Sequence, residues 1–163
     1  MSAADLAAAL ARRLPPPPVS AVPFPLQRLA LERALALAFR EPLARGELAF
    51  LEGRRLRVAV TDLGLAWDIT HVRAALRVLP PGPAPDVDLR SDLRGFALLA
   101  TRRADPDTLF FRRRLAIAGD TELGLACKNL MDALEPEDWH PLAPVVLAAV
   151  GRWLDPPQGV RRR

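Results

Sequence analysis

The sequence predicts an α+β chain with a single, mostly antiparallel sheet and helices packed on one face of it. Three observations predict this. Residues 56–89 contain runs in which apolar and polar residues alternate, the period of a strand with one buried face. The segments before and after them repeat apolar residues every three or four positions, the period of an amphipathic helix. One further apolar run, at 115–118, returns after two helical segments. Strands followed by helices with a late strand point to one sheet covered by helices.

Taken in chain order, residues 2–14 read as a short helix with Leu6, Leu10 and Leu14 on one face and Ser2 and Asp5 at its start. Pro15 to Pro18 exclude helix and favour an extended arm, and residues 19–25 stay apolar and proline-punctuated. Residues 26–40 are a helix. Apart from an arc holding Arg28, Glu32, Arg33 and Arg40, its surface is nearly all Leu and Ala, so it is expected to be largely buried. Pro42 and Gly46 end it.

Strands follow. Leu56, Val58 and Val60 alternate with Arg57, Ala59 and Thr61, and Leu65, Trp67 and Ile69 with Ala66, Asp68 and Thr70. Leu76 and Val78 flank Arg77, and Val87 and Leu89 mark a fourth short strand. Gly64 suits the first turn, whereas the turn near Arg73-Ala74-Ala75 lacks the usual Gly or Asn. Parity places Leu65, Trp67 and Ile69 inward and Asp68 and Thr70 outward, so Asp68→Ala is expected to do little.

Residues 93–103 are helical, with Phe96, Leu99 and Ala100 on one side. Asp105 caps a short helix with Pro106 in its first position. The last strand is closed by Gly119. Asp120 or Thr121 then caps a helix reaching about residue 135, with Leu123, Cys127, Leu130, Met131 and Leu134 on one face. Residues 141–154 form a final apolar helix, and the Arg161 to Arg163 tail is expected to be disordered. This divides the chain into an arm (1–25), one domain (26–155) and a basic tail (156–163).

Composition restricts the function. The chain has 163 residues, half of them apolar, and a net charge of +4. Its 23 basic residues are 22 Arg and the single Lys128, scattered in doublets and triplets. With no basic tract and no aromatic-interleaved strand motif, nucleic acid is not the expected partner; anionic lipid headgroups suit such a surface. Cys127 is the only cysteine, which leaves no internal disulfide and no cysteine-based metal site. His71 and His140 lack a ligand constellation; the carboxylates near His140 (Glu135, Glu137, Asp138) surround a helix stop at Pro136. Asp105, Asp107, Asp120 and Glu122 sit at helix starts, where capping explains them. No nucleophile has a visible base, so neither a catalytic site nor a cofactor is expected. The N-terminus reads as the reverse of a signal peptide, and no apolar run is long enough to span a bilayer. A cytoplasmic protein, peripheral to the inner membrane at most, is expected.

The second half of the chain carries a resemblance. Residues 105–111 (DPDTLFF), 115–119 (LAIAG), 120–125 (DTELGL) and 128–132 (KNLMD), together with 46–54 (GELAFLEGR), resemble the UbiT family over roughly residues 22–135. The strand-Gly-Asp-helix unit around Gly119 and Asp120 is similar to that of sterol-carrier-type domains. The resemblance implies a sterol-carrier-type α+β layer with an apolar tunnel between sheet and helices. It also implies an accessory role in oxygen-independent ubiquinone biosynthesis without catalytic residues. The implied ligand is a quinone-pathway isoprenoid or a phospholipid such as phosphatidic acid, and the implied partners are UbiU and UbiV.

Trp67, Ile69, Leu76, Val78, Phe96, Leu99, Phe110, Phe111, Leu130 and Met131 are the candidate tunnel lining, with Arg112 and Arg113 as candidate headgroup contacts. Each apolar member serves equally well as core packing. Burying an alkyl chain gains about 0.8 kcal/mol per methylene, so a ligand of this kind needs few polar contacts. Two other readings stand beside this one: a general lipid carrier of the same fold, and an interaction module. The arm and the last helix are expected to promote self-association, as a homodimer, or contact with a membrane surface.

Overall fold

The computed structural model describes residues 21–100 and 102–133. The expected helices at 2–14 and 141–154, the polyproline run, Leu134, the acidic cluster near His140 and the basic tail lie outside them. The first described helix, α1, spans Phe24–Ala38. It starts two residues before the expected position because Pro25 falls in the first turn, where a missing N–H costs nothing. A short helix α2 follows at Arg40–Ala44, then a 3₁₀ turn at Ala49–Leu51.

The strands are β1 Leu56–Val60, β2 Leu65–Val72, β3 Ala75–Leu79, β4 Val87–Ser91 and β5 Leu115–Gly119. Helices α3 (Leu93–Ala100) and α4 (Pro106–Phe111) lie between β4 and β5, and α5 (Thr121–Ala133) follows β5. The strand order is β3-β2-β1-β4-β5. Only β1 and β4 run parallel; the other three pairings are antiparallel. The α+β class and the mostly antiparallel sheet are as the sequence predicts.

Register follows the expected parity. Leu56 lies opposite Ile69 and Val87, and Val58 opposite Trp67 and Leu89. The inner face is therefore continuous apolar surface across the middle strands. Two clusters pack on it. One joins Leu48, Leu51, Leu76 and Val87 to Leu123 and Cys127 of α5. The other joins Leu89, Leu109 and Leu115.

Two expectations need correction. Helix α1 is not largely buried: only Ala38 is, and Leu26, Leu29 and Leu37 are exposed. The helix lies over the rim of the sheet near β3, so Leu31 and Leu35, with Phe39 just past its end, turn towards the cavity. Asp68 points away from the inner face as expected, but it is fully buried rather than solvated. The proline-rich loop before β4 folds over the outer face there, and the Gly82 N–H donates to Asp68 at 2.8 Å. The β2–β3 turn lies where the sequence places it and forms without Gly or Asn. Arg73 and Ala74 both adopt positive φ, 49° and 61°, the pair of left-handed residues that a two-residue type I′ hairpin requires.

Candidate functional site: an apolar cavity between sheet and helices

The inward parity of four strands supplies the floor of a cavity of about 240 Å³: Leu56 and Val58, Trp67 and Ile69, Val78, and Leu89. The roof is Leu31, Leu35 and Phe39 at α1, Leu51 of the 3₁₀ turn, Phe96 of α3, and Cys127, Leu130 and Met131 of α5. Every lining side chain is apolar or a thiol. Nothing in that set binds a charged group, so the space suits hydrocarbon.

Polar contacts outside the lining hold the walls in place. The indole N–H of Trp67 donates to Oε1 of Gln27 at 2.8 Å, and Nε2 of Gln27 donates to the Val22 carbonyl at 2.7 Å. The ring's polar atom is thus satisfied, leaving its apolar body for the cavity. Glu32 ties α1 to the sheet edge. Its Oε1 accepts from the backbone N–H of Val78 at 3.0 Å, and Oε2 lies 3.5 Å from the guanidinium of Arg77. Burial opposes ionisation of Glu32, but the Val78 N–H together with Arg28 and Arg77 outweighs it and lowers the carboxyl's pKa. An edge-strand donor that would otherwise be open is thereby covered.

The outer face of the sheet is organised around Asp68. Nε and Nη2 of Arg57 reach its two oxygens at 2.8 and 3.2 Å, across a direct β1–β2 pairing. Arg57 also donates to the Gly82 carbonyl. Desolvation pushes the Asp68 pKa up. The Arg57 bond, the Gly82 N–H and the charges of Arg57 and Arg55 push it down harder, and its carboxyl sits below its ordinary value. Asp88 follows Arg57 in the same row on β4 and adds to the field that raises the Arg57 pKa.

At the far end, Gly119 and Asp120 join β5 to α5. Gly119 has φ of 110°, and a Cβ there would meet the Asp86 carbonyl oxygen at 2.2 Å. Oδ1 of Asp120 accepts from the Leu123 N–H at 3.0 Å, capping α5. Arg54 bridges Asp86 and Asp120 at 3.5 and 3.3 Å. This strand-Gly-Asp-helix unit sets the angle at which α5 brings Cys127, Leu130 and Met131 over the sheet.

Six of the ten candidate lining residues meet at the cavity: Trp67, Ile69, Val78, Phe96, Leu130 and Met131. The other four do not. Leu76 is buried in the cluster below the 3₁₀ turn, because its partner on β2 is His71, one inward position beyond Ile69. Leu99 packs with the second cluster and borders a small depression of about 70 Å³. Phe110 borders a separate depression of about 280 Å³ between α4, β5 and α5. Phe111 is 81% exposed. Arg112 and Arg113 lie in the exposed turn after α4.

Leu56, Val58 and Leu89 were absent from the candidates although they share the parity of Trp67 and Ile69, which was the signal available for them. Leu31, Leu35 and Phe39 carried no signal separating them from the other apolar residues of α1. Burial pushes the Cys127 thiol up to about 11, so it is protonated at neutral pH and serves as a small apolar wall residue. Among the described residues, no group of three His, Cys, Asp or Glu is placed to hold a metal ion. No described helix is long and apolar enough to cross a membrane.

Comparison with known proteins places this geometry. Residues 31–132 match the SCP-2 sterol transfer family. The ubiquinone biosynthesis accessory factor UbiT of Escherichia coli strain K12 is 49% identical over 120 residues, covering 74% of this chain and 68% of that protein. The UbiT of Escherichia coli O157:H7 matches to the same extent. Among solved structures, the UbiJ-SCP2 ubiquinone synthesis protein superimposes with a TM-score of 0.56 at 22% identity, over 69% of this chain and all of that one; that likeness bears on the fold. The family match spans the sheet and the helices that enclose the cavity, and with the identity to the UbiT proteins it makes this chain a UbiT-family member of the sterol-carrier (SCP-2) type.

Proposed function

We propose that this chain is a non-catalytic accessory factor of oxygen-independent ubiquinone biosynthesis that holds a lipid in the cavity between sheet and helices. The all-apolar lining carries the reading. The names of its relatives supply the pathway, and the family supplies the class of ligand.

The ligand is an isoprenoid quinone precursor or a phospholipid acyl chain. A volume of about 240 Å³ is just below the range of roughly 300–1,000 Å³ usual for small-molecule sites. The cavity therefore takes part of a long chain and leaves the polar end outside. Eight buried methylenes gain about 6 kcal/mol gross, enough to hold a chain after the costs of association. Trp67, Ile69, Val78, Phe96, Leu130 and Met131 contact that chain. UbiU and UbiV receive the lipid or act on it while this chain shields it from water.

The test is mass spectrometry of lipid carried by the full chain purified under native conditions, beside an Ile69→Trp variant that fills the cavity. Wild type should carry a quinone-pathway lipid or a phospholipid, and the variant should lose it while melting cooperatively. A lipid-free wild type, or a filled cavity with unchanged lipid, refutes the reading. An unrelated apolar ligand would point to a general lipid carrier.

A further inference from the structure

We propose that the tip formed by the end of α4 and the adjoining side of α5 docks this chain onto an anionic lipid bilayer. This goes beyond the cavity reading, because no residue of the tip lines the cavity and the two proposals fail separately.

The apolar part of the tip is out of place for a folded surface. Phe111 is 81% exposed, Phe110 49% and Leu125 55%. Phe110 and Leu125 border the same depression, and the two phenyl rings meet edge to face with centroids 6.0 Å apart. The side chains thus form one patch. Exposed rings contribute little to the fold, and in water they are a liability.

The charge beside the patch is positive and unspent. Among the described residues, Arg114 is paired with Asp92 at 2.7 Å and Lys128 with Asp107 at 3.1 Å. Among the described residues, Arg112 and Arg113 have no such partner. Of the carboxylates that border the depression, Asp107 is engaged by Lys128 and Asp120 by Arg54, and Asp105 accepts from the hydroxyl and N–H of Thr108.

The turn that presents these arginines is built rather than frayed. Backbone N–H groups of Arg112, Arg113 and Arg114 bond the carbonyls of Thr108, Phe110 and Leu109 at 2.9–3.0 Å. Arg113 holds φ of 58°, the left-handed position after a helix that glycine usually occupies. The strain is tolerated with a long cationic side chain at the tip.

A bilayer fits this patch better than a protein does. Three apolar side chains fall well short of the roughly 800 Å² per partner that a stable protein interface buries. They are enough for rings to enter the boundary between headgroups and acyl chains while neighbouring arginines meet phosphates.

Co-sedimentation of the full chain with phosphatidylcholine vesicles, with and without 30% phosphatidylglycerol (about one lipid in three, enough for an anionic surface potential), tests this. Wild type should prefer the anionic vesicles. Phe111→Ser should weaken binding about tenfold or more. The double variant Arg112→Gln and Arg113→Gln should weaken it about thirtyfold and remove most of its salt dependence. All these sites are exposed, so melting temperature and cavity lipid should not change. Conversely, Ile69→Trp should leave vesicle binding intact. Variants that bind as wild type does overturn the proposal. So does a wild type indifferent to anionic vesicles, which would leave a protein as the occupant of the tip.

Discussion

Removing the carboxylate of Asp68 should destabilise this protein more than its place on the outer face of a sheet suggests. The side chain is fully buried, and its Arg57 partner keeps only 15% of its side-chain surface exposed. Three contacts end together in Asp68→Ala: the two-toothed bond from Arg57 at 2.8 and 3.2 Å and the N–H of Gly82 at 2.8 Å. Arg55, at 3.7 Å and half exposed, adds little because water screens it. Truncating one partner of a buried pair costs about 3–5 kcal/mol, since the other charge is stranded. Asp88 lies beside Arg57 in the next strand and softens that stranding, which puts the cost near 3 kcal/mol, the low end. For a chain of this length that lowers the melting temperature by about 6–12 °C.

The same carboxylate sets an acid limb. Its pKa is lowered in the folded chain, so its contribution is complete above the unfolded value near 3.9 and is lost as pH falls through the folded value. The stability difference between wild type and Asp68→Asn should therefore be constant at neutral pH and shrink below about pH 4. Urea melts between pH 3 and 7 measure it. The exposed Arg45–Glu47 pair is the comparison, and Arg45→Ala should shift the midpoint by no measurable amount. An Asp68→Ala variant as stable as wild type, or a difference that grows on acidification, would refute the reasoning.

Two other outcomes follow from the geometry. Ala74→Gly combined with Arg73→Asn should stabilise the β2–β3 hairpin by about 1 kcal/mol, because left-handed backbone costs about 1–2 kcal/mol per non-glycine residue and glycine returns part of that gain as unfolded-state entropy; thermal melting checks it. Cys127, with its thiol at about 11, should resist iodoacetamide at pH 8 in the folded chain, where about one thiol in a thousand is ionised, and react fully in denaturant. Rapid labelling of native protein would mean that the cavity wall opens.

Much of the fold was legible because period and punctuation coincide. The alternation at Leu56 to Val60 and Leu65 to Ile69, Gly64 at a turn, Asp105 with Pro106 at a helix start, and Gly119 with Asp120 between strand and helix all take the expected geometry. What was illegible depends on contacts between distant segments. Nothing near Asp68 in sequence announces that the 80–86 loop covers it. Likewise α1 looks like a core helix by composition, yet of its apolar side chains only Leu31 and Leu35, with Phe39 at its end, face the cavity. The cavity lining was half legible for the same reason. Parity names the inward residues, but only the seating of the helices separates Trp67 and Ile69 beneath a void from Leu76 beneath close packing.

That void has an energetic meaning. At about 24 cal/mol per Å³, a cavity of about 240 Å³ costs up to about 6 kcal/mol when empty, as much as the whole net stability of many domains. Apart from Trp67 and Cys127, its walls are Leu, Ile, Val, Phe and Met, the residues that fill cores elsewhere, and a bulkier side chain at Val58 or Val78 would recover part of the loss. A chain that keeps such a void compensates for it in two ways visible here. The sheet is braced from behind by the Asp68–Arg57 pair and along its edge by Glu32 on the Val78 N–H, so its inner face need not be packed solid to stay in register. The helix above it buries only Ala38 and is held by a few directional bonds, Gln27 to Trp67 and Glu32 to Val78, which can break without dismantling the core. A stiff floor under a lightly held roof lets hydrocarbon supply the missing contacts, and any occupant that binds only the folded chain raises its stability in proportion to its own affinity.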